Sequence, residues 1–316
     1  MLASDSPVLP ATASPSPVGQ GTRRVFLANL VAQVAIVVTG GLVRLTSSGL
    51  GCPTWPQCVP GSLVPVSEQA QAWHKYVEFG NRLLTFVLVA LAVASLVAAV
   101  RTRQLWVGQG AQPRTAILWL AAVPLVGTFA QALLGGVTVL TGLHPLWVGA
   151  HFLLSAAIIA GCVVLVRRAG EPGDQPLMVL VRREIRWLSR ALVAICAAVL
   201  AVGTLVTGAG PHSGDVDVTH RIALDVRTVA WLHADLVLLF VGLLVGLWLA
   251  LRLTDAPGRA RGWAHLLMAL AIVQGVVGYT QWFTGVPWLL VSVHMLLACL
   301  VWIATLQTHL SLRSRG

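Results

Sequence analysis

The chain of 316 residues is 57% hydrophobic and 10% charged, with a mean hydropathy of +0.82. Soluble domains carry roughly 25% charged residues, so this composition excludes an ordinary globular protein. A net charge of +10 brings nucleic acid to mind, until the positions of the charges are considered.

Residues 1–24 are rich in Pro, Ser and Ala, lack the apolar centre of a signal peptide, and read as a disordered tail. Apolar runs follow near 25–43, 76–100, 115–139, 146–166, 188–207, 228–251, 262–282 and 288–309. At 1.5 Å per residue, about 20 residues cross a hydrocarbon core of ~30 Å. Lipid offers no hydrogen bonds, so each run must satisfy its own backbone as a helix. The runs are too long and too evenly apolar for barrel strands. The predicted fold class is therefore all-α, a polytopic membrane protein of eight transmembrane helices.

The linker at 167–187 separates an N-terminal half (25–166) from a C-terminal half (188–309), and a short tail follows at 310–316. Of the 21 Lys and Arg residues, only Arg44, Lys75, Arg82, Arg221 and Arg227 fall on the side opposite the N-terminus. By the positive-inside rule both termini are cytoplasmic. The basic excess is topology, and the expected surroundings are lipid, with no nucleic acid.

The cysteines sort the same way. Cys162, Cys196 and Cys299 lie inside apolar helices, where a free thiol is a small core residue. Cys52 and Cys58 share the first outer loop, GLGCPTWPQCVPGS. A zinc site would need two further ligands, and none is nearby. On the oxidising side of a membrane such a pair closes a disulfide or stays redox-active.

The halves repeat one another. Gln131, Gly135, Thr141, Gly142 and His151 align without gaps with Gln274, Gly278, Thr284, Gly285 and His294. An even number of helices per half makes the repeats parallel, related by an axis along the membrane normal. A weaker match lays the second span on the sixth and sets Asn81 opposite His233.

Nine histidines are present. His265 and His309 read as interfacial residues near the cytoplasmic helix ends. His74, His144, His212 and His220 read as solvated residues of the outer loops and helix mouths. His151, His233 and His294 each lie a few residues into an apolar helix, where a polar ionisable group is costly and points to function. Imidazoles facing each other from two helices can clamp a flat macrocycle through its iron. His233 and His294 form such a pair in the C-terminal half. In the N-terminal half the equivalent pair is Asn81 and His151, and Asn is a poor iron ligand. One half is thus closed and suited to electron transfer, and the other is left open for chemistry. Glu78 shares a helical face with Asn81, and Arg82 stands four residues after it in the favourable order for an ion pair. The plain reading is an intrahelical pair. The functional one is a carboxylate beside the open macrocycle face, handling protons or water.

These residues resemble the haem A synthase family over Thr39 to about Leu306. The most specific stretch is TGGLVRLTSSGLGCPTWPQC (Thr39–Cys58), joined by the Glu78 segment, Gln131 to His151, the GPHSGD loop (Gly210–Asp215) and Gln274 to His294. The resemblance implies a multi-pass protein of the bacterial plasma membrane. It would oxidise a methyl group of haem O to a formyl group, through hydroxylated intermediates with water as oxygen source, for maturation of cytochrome oxidase. It implies haem b between His233 and His294, the substrate haem O on His151, a catalytic role for Glu78, and a Cys52–Cys58 disulfide. Asn81 departs from the family pattern, since many members carry a histidine there. The third outer loop departs too, with His212, Asp215, Asp217 and His220 where some members have a second cysteine pair. Arg82, with Arg44, Arg221 and Arg227, is a candidate for haem propionates. Implied partners are haem O synthase and the oxidase assembly machinery, with the oligomeric state open. The alternatives are a cytochrome b-type electron-transfer subunit, which needs two closed haem sites, and a haem or solute transporter.

Overall fold

The computed structural model describes residues 18–111, 113–218 and 220–315. Most of the predicted N-terminal tail therefore lies outside the described residues. Among the described residues, eight helices are long and apolar enough to cross a membrane: α1 (Gln20–Leu45), α2 (His74–Gly108), α3 (Thr115–Leu140), α4 (Pro145–Ala169), α5 (Arg183–Ala209), α6 (Val226–Arg252), α7 (Gly258–Phe283) and α8 (Trp288–Leu310). Each contains one predicted span, and most run several residues past it. Hydropathy marks where lipid ends, whereas a helix continues until its backbone hydrogen bonds find another partner. So the polar turn Gln20–Arg24, assigned to the tail by composition, belongs to α1, and Arg183–Trp187, assigned to the linker, belongs to α5.

Each half is a ring of four helices. In the first, α1 packs on α2, α2 on α3, α3 on α4, and α4 on α1; α5 to α8 repeat the arrangement. Consequently α2 faces α4, and α6 faces α8, across the centre of a ring. The rings meet through α1, α4, α5 and α8, with α1 on α8 as α5 is on α4. That exchange is the one expected of parallel repeats about an axis along the bundle. Trp302 Nε1 of α8 donates to the Ala156 carbonyl of α4 at 2.9 Å across this seam.

Burial is uneven along the helices. The larger core follows the central seam and takes in the ends of α6 and α7 nearest the termini. A second core, around Phe26, Trp106, Ile117 and Leu165, fills the same end of the first ring. Towards the other end the packing thins. The last buried residue of α7 is Leu267, with none between Met268 and Phe283. A groove of about 500 Å³ opens there between α6 and α7, lined by Val241, Met268, Gly275 and Tyr279 among others. The loosely packed end is the one that carries the candidate histidines.

Two three-residue segments that composition treats as linker and tail pair with each other. β1 (Leu177–Val179) and β2 (Arg313–Arg315) are antiparallel, three residues each. They tie the segment after α4 to the segment after α8 at the basic end.

The positive-inside expectation gives a direct test of orientation. In intact cells, a membrane-impermeant maleimide should label Val64→Cys in the loop after α1, and should label Gln175→Cys in the loop after α4 only once the membrane is opened. The reverse pattern would place the basic end outside.

Candidate functional site

The end opposite the termini is built from interlocked loops. Cys52 and Cys58 form a disulfide, closing the loop after α1 into a small ring. Gly49 N–H donates to the Gly214 carbonyl at 2.7 Å, joining this loop to the one after α5. Arg44 adds bonds to the His212 and Thr207 carbonyls at 2.8 and 3.2 Å. His212 Nε2 lies 2.9 Å from the Val286 carbonyl, reaching the loop after α7. Trp55, inside the disulfide ring, lies against α3, where a Cβ on Gly136 would come within 2.5 Å of its indole.

Glu78 holds the disulfide loop down. The residue is 6% exposed. Its Oε2 accepts from Cys52 N–H at 2.6 Å, and its Oε1 accepts from Arg82 Nε and Nη2 at 3.0 and 2.6 Å. Arg82 also donates to the carbonyls of Cys52, Thr54 and Gln57 at 2.8, 3.0 and 3.2 Å. The predicted intrahelical pair is present, and it is also a clamp between α2 and the cysteine ring. The resemblance does not make this clamp visible, because the acceptors are backbone carbonyls some thirty residues away in sequence.

The three intramembrane histidines share one setting. Each ring lies against a glycine of the preceding helix. A Cβ built on Gly135 of α3 would lie 3.4 Å from His151 Cε1 on α4; one on Gly278 of α7 would lie 3.2 Å from His294 Cε1 on α8; and one on Gly203 of α5 would lie 3.2 Å from His233 Cε1 on α6. In each case Nδ1 is the next atom, at 3.6–4.0 Å. Nδ1 of all three is buried without a hydrogen-bond partner. None of the three rings has a side-chain hydrogen bond among the described residues.

Asn81 occupies the fourth such position. A Cβ on Gly40 of α1 would lie 3.8 Å from its Nδ2 on α2, and Thr39 Oγ1 donates to its Oδ1 at 2.8 Å. The weak second-to-sixth span match thus gains a structural counterpart that sequence spacing could not supply. The helix hairpins differ in loop length, so Gly40 and Gly203 fall at unlike distances from their partners. Because α2 faces α4 and α6 faces α8, Asn81 stands across the first ring from His151, and His233 across the second from His294.

Gln131 and Gln274 share their contact with the histidine, and Gln131 alone adds a bond to Ser155 Oγ. Each donates from Nε2 to the backbone carbonyl of its partner histidine, at 3.0 Å for His151 and 3.1 Å for His294. Each is one turn before the seating glycine, so amide and glycine meet the histidine on one helical face.

The other histidines divide differently from the sequence reading. His74, expected to be solvated, bonds Ser48 Oγ through Nδ1 at 2.8 Å, and His212 is the loop joint described above. His144 and His220 lie exposed with ring centroids 6.4 Å apart. His265 faces the Arg261 carbonyl at 2.7 Å and His309 faces Ser189 Oγ at 2.9 Å. Of the propionate candidates, Arg44, Arg82 and Arg221 are engaged with loop carbonyls. Among the described residues no three His, Cys, Asp or Glu side chains converge as a metal cage. An iron on these histidines would therefore need most of its ligands from elsewhere, as a macrocycle supplies.

A sequence profile described as "Cytochrome oxidase assembly protein" matches residues 23–306. The chain belongs to that family. Among similar proteins, a haem A synthase of Halalkalibacterium halodurans is 26% identical over 277 residues, covering 85% of this chain and 87% of the relative. One of Methylobacterium nodulans is 28% identical, covering 85% of each chain. One of Geobacillus kaustophilus is 36% identical over 109 residues, 34% of this chain and 30% of the relative. The Geobacillus match thus spans under a third of that protein's length. Eight spans and bacterial relatives make this family member a multi-pass protein of a bacterial membrane.

The clamp predicts an asymmetric response to mutation. Arg82→Ala leaves a buried carboxylate unpaired and should cost about 3–5 kcal/mol, whereas Glu78→Gln keeps a neutral acceptor for Cys52 N–H and should cost much less. Thermal unfolding of the two purified variants in one detergent reads the difference.

Proposed function

We propose that the chain is a haem A synthase, oxidising a methyl group of haem O in its first helix ring with a resident haem b in its second. The observation that carries this reading is the pairing across the two rings, His233 with His294 and Asn81 with His151. The same seat is built four times, and in one of them the residue is not an iron ligand.

The second ring fits a haem b. Its two imidazoles come from facing helices, their Nδ1 edges rest against glycine, and the adjoining stretch of α7 is left unpacked. Bound there, haem b supplies reversible one-electron transfer. His233 and His294 would hold its iron, and Gln274, bonded to the His294 carbonyl, would fix the backbone from which that ring projects.

In the first ring, His151 would take the iron of the substrate haem O, with Asn81 across from it. A carboxamide ligates iron poorly, so the substrate face towards α2 stays accessible. Conversion of –CH3 to –CH2OH takes up one water and releases two protons and two electrons; conversion to –CHO releases two more of each, and the four electrons pass to an oxidant supplied from outside the chain. Glu78, one turn before Asn81, is the carboxylate placed to accept protons, and Arg82 with the Cys52 N–H holds it in position. The disulfide ring and Trp55 cover this end of the ring and limit the entry of bulk water.

Haem extraction from the purified protein tests the reading. Haem B together with haem O or haem A is expected. Haem B alone at two equivalents, unchanged in Glu78→Ala, would instead describe an electron-transferring cytochrome. His233→Ala and His294→Ala should abolish the haem b absorption, and Asn81→Ala should leave it. Gly278→Ala, which pushes a methyl against His294, should lower haem b occupancy, while Gly262→Ala, with nothing within 4 Å, should not.

A further inference from the structure

The basic end holds a group of guanidiniums that neither ring uses. Arg167, on the last turn of α4, is 8% exposed. Its Nη2 reaches the Arg313 carbonyl of β2 at 3.4 Å, and its Nε stands 3.8 Å from Glu171. Nε and Nη1 have no hydrogen-bond partner. Arg168, 9% exposed, pairs with Glu171 and Asp174. Arg114, 1% exposed, also ends on Asp174, at 3.0 Å. Arg315 Nε is 3.8 Å from Glu171 and likewise lacks a hydrogen bond. Two carboxylates thus serve four guanidiniums. Burial holds the Arg313 guanidinium below its ordinary pKa; Glu171 opposes this, and Arg315, Arg190 and Arg168 reinforce it.

Topology accounts for arginines at this end but not for their burial. An arginine placed only by the positive-inside rule keeps its head in water. Desolvating a cation costs several kcal/mol unless an anion and hydrogen bonds compensate it. The unfilled donors here belong to guanidiniums, whose planar fork matches two oxygens of a phosphate. Depth is indicated by tryptophans. Arg190 lies over the Trp187 ring at 4.9 Å and Arg252 over Trp248 at 4.8 Å, and Trp187 is 55% exposed. Such residues settle at the level of lipid headgroups, where basic pockets between helices take anionic lipids.

We propose that Arg167 and Arg315, where the end of α4 meets the β1–β2 strand pair, form a binding site for a phosphate group, carried by an anionic phospholipid or present as free phosphate. Arg167 belongs to the first half and β2 follows the last helix of the second. The bound phosphate therefore staples the two halves together at the end opposite the haem sites.

The test uses the purified full-length protein in nanodiscs of phosphatidylcholine, with and without phosphatidylglycerol, and separately in phosphatidylcholine with inorganic phosphate at chloride-matched ionic strength. Thermal unfolding and retained lipid by native mass spectrometry are the readouts. Phosphatidylglycerol should raise Tm and be retained, and Arg167→Gln and Arg315→Gln should each weaken that response at least tenfold in lipid concentration. Arg103→Gln, an exposed arginine on the same end, should not. An equal Tm rise with inorganic phosphate alone, lost in the same variants, assigns the site to free phosphate. If Arg167→Gln does not fold, Arg315→Gln carries the comparison. No response to either phosphate source, or a response that both variants keep, overturns the proposal.

Discussion

A flat polar side chain can stand inside a membrane bundle only where the next helix leaves room for it, and here glycine leaves that room. Without a Cβ on Gly135, Gly203 and Gly278, the Cε1–Nδ1 edge of each histidine rests against a helix backbone. Ring freedom is lost there, so the remaining nitrogen is held in a fixed direction. Were these rings to hold an iron, as proposed, little reorganisation would be needed on binding, which is the purpose of rigid support around a site. Core packing is concentrated at the opposite end and along the central seam, so the seats lie where the helices are less tightly packed.

The same scaffold yields two different sites because one residue differs. Gly40 is in place against Asn81 as the other three glycines are against histidines. The seat persists while the ligand does not, which reads as specialisation of one copy of a repeated unit. The cover over the first ring is also its own: Glu78 and Arg82 bind the disulfide loop there. Both features set the first half apart from the second, and both favour chemistry over simple electron transfer.

Much of this was legible in the sequence. The eight helices follow from hydropathy, since lipid leaves the backbone no other partner. The Gln131–His151 and Gln274–His294 register was legible because both hairpins have equal length. The Gly40–Asn81 and Gly203–His233 contacts were not, because the loops between those helices differ in length and only packing aligns them. The role of Arg82 was hidden for a related reason: its acceptors are carbonyls of Cys52, Thr54 and Gln57, which carry no side-chain signal. The β1–β2 pair was also invisible, since Leu-Met-Val and Arg-Ser-Arg show no alternation, and each strand is fixed only by the other. The buried arginines looked like topology until their burial and missing partners were seen.

In the proposed reading the second ring is closed by two histidines and the first is not. Low-temperature electron paramagnetic resonance of the oxidised, purified protein tests it most directly. One low-spin, bis-imidazole signal is expected, lost in His233→Ala, together with a second haem that is not bis-imidazole. Two bis-imidazole signals in the unmodified protein would contradict it.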